Sequence, residues 1–162
     1  MARTPSRSTP AILALTAAGV AFVARPYDHR AGVTTYGLEA AAALGVDPGR
    51  VFKTLMATVD GGLVTAVVPV SGSLDLKALA QALGGRKALM ADPALAQRRT
   101  GYVLGGISPV GQRHPSPVVV DDTALTHASI LVSGGRRGLD LELAPGDLIT
   151  VTGARTAPIA GP

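Results

Sequence analysis

Lys53 stands near the start of VFKTLMATV, residues 51–59, a run of apolar residues and threonines that reads as a strand. Side chains alternate between the faces of a strand, so Lys53 is expected to share a face with Val51, Leu55, Ala57 and Val59. Thr54 then points to the other face, unless a local bulge turns it. An ammonium among such apolar neighbours is costly to bury. Either its stem packs at a sheet edge while the head reaches water, or it stands on a cleft floor and offers a point charge to a phosphate or carboxylate. The chain has 12 arginines and only 3 lysines, which tilts the choice towards a site needing a compact head.

Two further segments hold residues suited to chemistry. In GYVLGGISPVGQ, residues 101–112, the stretch Gly105-Gly106-Ile107-Ser108-Pro109 lets backbone approach a ligand closely, and its N–H groups suit an oxyanion or phosphate. The same composition also describes an ordinary turn. In SGGRRGLDLEL, residues 133–143, a strand ends at Ser133, turns through glycines and arginines, and returns. Leu139, Leu141 and Leu143 take one face, which leaves Asp140 and Glu142 on the other. That second face is either solvated, or brings Ser133 and Asp140 together to hold a polar group, Asp140 being suited to an amine. Arg136 and Arg137 at the tip suit a phosphate backbone.

Other chemistries lack their residues. There is no cysteine, hence no disulfide, thiolate metal site or protein thiol nucleophile. His29, His114 and His127 are too far apart in sequence for ligand spacing, and no metal or cofactor is expected. Neither a dinucleotide fingerprint, a Walker loop nor a G-x-S-x-G elbow is present.

These residues need a scaffold. Thr9-Pro10 starts a first helix, with the threonine as N-cap and proline at N1; Gly19 breaks it, and VAFVARPY alternates as a strand. Arginines before an apolar run mimic a secretory signal, but the helix start, Gly19 and the lack of an A-x-A site argue for a cytoplasmic domain. The run is also too short to span a bilayer, and no membrane partner is expected. YGLEAAAALG forms a short helix ending at Gly45. The strand of Lys53 turns at Asp60-Gly61-Gly62 and pairs with LVTAVVPV, 63–70, as a hairpin. Leu76, Leu79, Ala80 and Leu83 make a helical stripe ended by Gly84, and Asp92, Pro93 and Gly101 frame another helix. VVVDD and ASILVS are further strands. PGD, 145–147, reads as a turn before a short last segment. Residues 1–8 are expected to be a loose extension, 9–152 one domain and 153–162 a loose tail.

The 162 residues are 47% hydrophobic and 16% charged, which favours a folded core over disorder. Aromatic residues reach only 3%, so no aromatic platform for stacking bases is expected. The net charge of +4 suits a polyanion, although no long basic run occurs. Helices and strands are interspersed without repeats or βαβ regularity, an α+β pattern.

Taken together, VFKTLMA, VSGSLDLKALAQALG, MADPALAQRRTGYVLGGISPVGQ and LVSGGRRGLDLELAPGDL resemble the YbaK/EbsC family, free-standing relatives of the editing domain of bacterial prolyl-tRNA synthetase. The resemblance runs from about Thr9 to Leu148. It implies a strongly curved, partly barrel-like mixed sheet flanked by helices. It also implies a trans-editing deacylase that hydrolyses Cys-tRNA(Pro), with the acceptor end of an aminoacyl-tRNA as partner and prolyl-tRNA synthetase as a candidate second one.

By the same resemblance, the family's essential lysine falls on Lys53, its G-x-x-x-P loop on Gly105 to Pro109, and its serine and aspartate on Ser133 and Asp140. Its tyrosine after the first strand corresponds to Tyr27; Tyr36 stands where relatives carry phenylalanine. Lys53, Gly105, Ser133 and Asp140 are the expected catalytic set. Tyr27, Tyr36, Thr54, Gly106 and Ile107 are expected to contact substrate, as are Ser108, Pro109, Gly134 and Arg136. In the family the substrate's own thiol attacks the ester, so the protein supplies proximity and charge rather than a nucleophile. Two alternatives stay open: the same fold acting on another mischarged tRNA such as Ala-tRNA(Pro), and a non-catalytic module that binds tRNA or nucleotide.

Overall fold

The computed structural model describes residues 8–162, so nearly all of the expected N-terminal extension lies outside the described residues. The chain order is α1 (Pro10–Ala17), β1 (Val23–Pro26), α2 (Tyr36–Leu44), β2 (Phe52–Val59), β3 (Gly62–Pro69), β4 (Ser73–Leu74) and α3 (Leu76–Ala82). Then come β5 (Ala88–Met90), α4 (Pro93–Thr100), β6 (Val118–Asp121), β7 (Ile130–Arg136), β8 (Leu139–Leu143), α5 (Pro145–Thr152), β9 (Arg155–Ala157) and β10 (Ala160–Gly161).

Local chemistry explains most boundaries. Thr9 caps α1, its hydroxyl accepting from Ile12 N–H and donating to the Gly134 carbonyl. Pro93 occupies the first position of α4, and Gly45 and Gly101 end α2 and α4 in the left-handed conformation. Between β2 and β3, Asp60 and Gly61 both have positive φ, as a tight two-residue hairpin turn requires. Asp60 is held there by accepting from the N–H groups of Arg86 and Lys87.

Ten strands form three sheets: β1-β8-β7, β5-β2-β3-β6-β9 and the small pair β10-β4. The largest is mixed, antiparallel through β5-β2-β3 and parallel through β3-β6-β9. Its middle is buried on both faces. Val67, Val118 and Val120 join a core with the inward residues of β7 and β8, Ile130, Val132, Leu139, Leu141 and Leu143. Ala66, Val68 and Val119 pack on the other face against Leu79 of α3. The architecture is α+β, with two main sheets packed face to face. No sheet among the described residues closes into a barrel.

The C-terminal expectations are corrected. Pro145 is not a turn but the first residue of α5, which ends at Gly153. Residues 153–162 are not loose: β9 pairs with β6 and β10 with β4. The reason is Asp121, only 2% exposed, whose carboxylate accepts from Ile159 N–H and Ala160 N–H (2.9 Å each) and from Thr123. A buried carboxylate needs such partners, and the tail provides them.

Candidate active site

The two main sheets meet where Val51 bridges Leu131 in parallel. This bridge sets β2 beside β7 two residues before Lys53 and Ser133. β5 covers β2 only from Ala57 to Val59. Lys53 to Leu55 therefore lie on an edge no strand covers, and a cavity of about 590 Å³ runs along it.

The first turn of α2 closes one side of that cavity. Gly37 allows this: a Cβ there would lie 2.2 Å from Val70 Cγ1, so only glycine lets α2 sit this close to the end of β3. Tyr36 is thereby held at the mouth. Its ring lies 5.6 Å from the His29 ring, and the Arg137 guanidinium stands 5.1 Å from its centroid. Glu39 holds His29 through Nδ1 and accepts from Arg30 N–H. These two contacts, the backbone N–H foremost, keep the Glu39 carboxyl below the usual carboxylate range.

Lys53, Thr54, Tyr27, Tyr36, Gly105, Ile107, Ser133 and Asp140 all line the cavity. Gly106, Ser108, Pro109, Gly134 and Arg136 do not. A Cβ on Gly106 would lie 2.8 Å from Arg136 Cα, and one on Gly134 2.6 Å from Leu139 Cγ, so both glycines permit close backbone packing. Ser108 is fully buried, its hydroxyl accepting from Val110 N–H while its carbonyl accepts from Gln112 Nε2. The Gly106 N–H is already committed to the Val103 carbonyl at 2.9 Å. Of the two glycine N–H groups in that stretch, this leaves Gly105 for an oxyanion.

Thr54 lines the cavity although it lies on the opposite strand face from Lys53. The β2–β3 register is unbroken, so no bulge turns it. It reaches the cavity because the cavity wraps the uncovered edge and takes side chains from both faces. Among the described residues its Oγ1 is the buried side-chain polar atom without a hydrogen-bond partner. Such atoms are uncommon and suit a ligand contact.

The electrostatics follow from burial. Lys53 has no ion pair among the described residues, and desolvation pulls its pKa down from the ordinary lysine value. Asp140 pairs with Ser133 across the β7–β8 ladder and is 6% exposed, so the hairpin face that carries it is not a solvated one. Burial pushes its carboxyl up to about 7. Tyr27 is raised to about 12, first by burial and then by the charge of Asp140, while an N–H of Gly138 acts in the opposite sense. The cavity thus holds an unpaired cation, an acid poised near neutrality and a hydroxyl at Ser133, within walls that include Phe52, Met56, Ala96 and Ile107.

Sequence reasoning did not place Met56, Leu38, Met90 or Leu104 at the cavity. Leu38, Met90 and Leu104 are exposed apolar residues, but in the sequence they look like ordinary members of helix, strand and loop. Gly37 inside a helical run was the one local signal of a tight approach. Among the described residues no three His, Asp or Glu side chains converge as a metal site, and no helix is long and apolar enough to cross a membrane.

The chain resembles known proteins in sequence and in fold. Residues 31–151 match the aminoacyl-tRNA editing domain. The chain is 39% identical over 120 residues, 74% of its length and 73% of the other's, to the "Putative Cys-tRNA(Pro)/Cys-tRNA(Cys) deacylase EbsC" of Enterococcus faecalis. It is 40% identical over 68 residues to the proline–tRNA ligase of Moorella thermoacetica, covering 42% of this chain and 12% of that enzyme. A solved structure described as "a putative trans-editing enzyme for prolyl tRNA synthetase" superposes with a TM-score of 0.82 at 27% identity, covering 99% of this chain and all of the other.

Proposed function

The chain belongs to the aminoacyl-tRNA editing domain family, and from that premise we propose that it acts in trans as a deacylase of mischarged Cys-tRNA(Pro). The observation that carries this reading is the convergence of Lys53, Ser133, Asp140 and Gly105 on one cavity at the seam of the two sheets. The chain has no cysteine, and no Ser–His pair among the hydrogen bonds of the described residues offers an activated nucleophile.

In the proposed reaction the thiol sulfur of the esterified cysteine attacks its own carbonyl carbon. The bond to the ribose oxygen breaks, that oxygen takes the thiol proton, and the products are a cyclic thiolactone and uncharged tRNA. The protein contributes position and charge. Lys53 donates to phosphate or ribose oxygens of the terminal adenosine, a contact strengthened by partial desolvation. The Gly105 N–H donates to the carbonyl oxygen as negative charge develops on it. Ionised Asp140 and the Ser133 hydroxyl accept from the α-amino group, and Thr54 Oγ1 supplies a further polar contact. Prolyl-tRNA synthetase is the proposed partner that presents the tRNA.

The test is a panel of charged tRNAs offered to the purified protein. Loss of the cysteinyl group from Cys-tRNA(Pro) as the thiolactone, with serine-charged tRNA spared, is the expected outcome. Serine has the same shape but a far poorer nucleophile, so rapid serine release would reject the thiol route, and no release from any tRNA would reject the deacylase.

A further inference from the structure

Beyond the cavity, the chain has a long stretch of one charge sign. From Pro93 to Val120 there is no aspartate or glutamate, while Arg98, Arg99, Arg113 and His114 fall within it. All four are exposed, and none forms an ion pair among the described residues.

The fold gathers them. The Arg113 N–H donates to the Thr100 carbonyl and the His114 N–H to the Arg99 carbonyl, both at 2.9 Å, so the later segment lies against the end of α4. The Arg113 side chain lies along the helix end: a Cβ on Gly101 would stand in ordinary contact with it, 3.5 Å from Nε and 3.7 Å from Cζ. Cations in the last turn also favour the helix dipole, which accounts for Arg98 and Arg99 but not for Arg113.

The cluster is tied to the cavity mouth. Ala96 lines the cavity and stands four helical steps before the end of α4 at Thr100, a rise of roughly 6 Å. Gln97 Oε1 accepts from Leu104 N–H, and the Leu104 carbonyl accepts from Arg137 Nε beside Tyr36. Arg137 at the mouth is thus joined through Leu104 and Gln97 to the helix that carries Arg98 and Arg99. Guanidinium forks match phosphate oxygens in pairs, whereas most protein partners would call for acids interspersed with the bases.

We propose that Arg98, Arg99 and Arg113 form a phosphate-binding surface that receives the RNA backbone leading to the cavity. The identity of the polymer rests on the deacylase reading; the surface rests on charge and geometry alone. The chemistry requires no base recognition, so binding is salt-dependent and tolerant of sequence.

The experiment measures binding of an uncharged RNA hairpin with a single-stranded 3′ end, across a range of salt concentrations. Because the probe carries no ester, the result is independent of whether the protein hydrolyses one. Three proteins are compared: the parent, Arg98→Gln/Arg99→Gln/Arg113→Gln, and the charge-matched Arg86→Gln/Lys87→Gln/Arg155→Gln. The first triple variant should bind at least ten-fold more weakly and lower the slope of log K against log salt by about 2–3. The second should lie close to the parent. Unaltered unfolding temperatures report that both variants fold. Equal losses in the two variants would reduce the effect to net charge and overturn the proposal. So would parent-like binding by the first, or no measurable binding by the parent at low salt.

Discussion

Gly105 lies against the ring of Tyr36: a Cβ at that glycine would stand 2.6 Å from Cε1 and 2.7 Å from Cδ1 and Cζ. The same residue has φ +83°, a conformation that costs an L-residue roughly 1–2 kcal/mol. Gly105→Ala should therefore displace both the loop and the ring, and kcat/KM for Cys-tRNA(Pro) is expected to fall by ten-fold or more. Gly61→Ala also carries the positive-φ cost but meets no side chain within 4 Å. It should lose comparable stability in thermal unfolding while keeping activity.

Lys53→Ala should remain folded, since removing a partly desolvated charge with no ion pair relieves a cost. Its deacylation rate is expected to drop by about 10²–10³, the usual effect of removing one stabilising group from a reacting site. Single-turnover hydrolysis with matched unfolding curves checks both halves.

Asp140 gives a pH prediction with a definite sign. Its folded pKa, about 7, lies above its unfolded value, so the native state binds the extra proton between about pH 4 and 7. Stability should then fall as pH rises through that window, by an amount on the order of a few kcal/mol at most. Asp140→Asn should flatten the dependence and gain on the parent at pH 8 but not at pH 4. In activity the sign reverses: the ionised carboxylate holds the substrate amine, so kcat/KM should rise through pH 7 in the parent and lie low and flat in Asp140→Asn.

Asp121 tests the C-terminal strap. Asp121→Ala leaves the N–H groups of Ile159 and Ala160 without their acceptor in a buried place. A loss of about 3 kcal/mol is expected, equivalent to a Tm lower by roughly 6–12 °C. Limited proteolysis should now cut after Gly153 in the variant, and the parent should resist.

Much of the fold was legible because its punctuation is local. Proline at N1, glycine at C′ and the Asp60-Gly61 turn each act within a few residues, and α2, α4 and the β2–β3 hairpin follow from them. The tail was not, because its order depends on Asp121, 38 residues before Ile159. In α5, the run Ile149-Thr150-Val151-Thr152 is β-branched throughout and argues against a helix until Pro145 and Gly153 are weighed as its ends. At the cavity, alternation separated Thr54 from Lys53 correctly as to face. It could not reveal that β2 has an uncovered edge there, since that depends on where β5 stops. Nor could it distinguish Asp140 from Glu142: the first is buried, while the second is half-buried and held by Arg25, Arg50 and Ser129.

The tyrosines have a practical consequence. The chain contains no tryptophan and three tyrosines, of which Tyr27 and Tyr36 border the cavity while Tyr102 is buried. Ultraviolet emission from the unlabelled protein thus originates largely at the place where a guest would settle. Occupancy becomes an optical signal, and a titration followed by fluorescence needs no dye, no radioactive amino acid and no turnover.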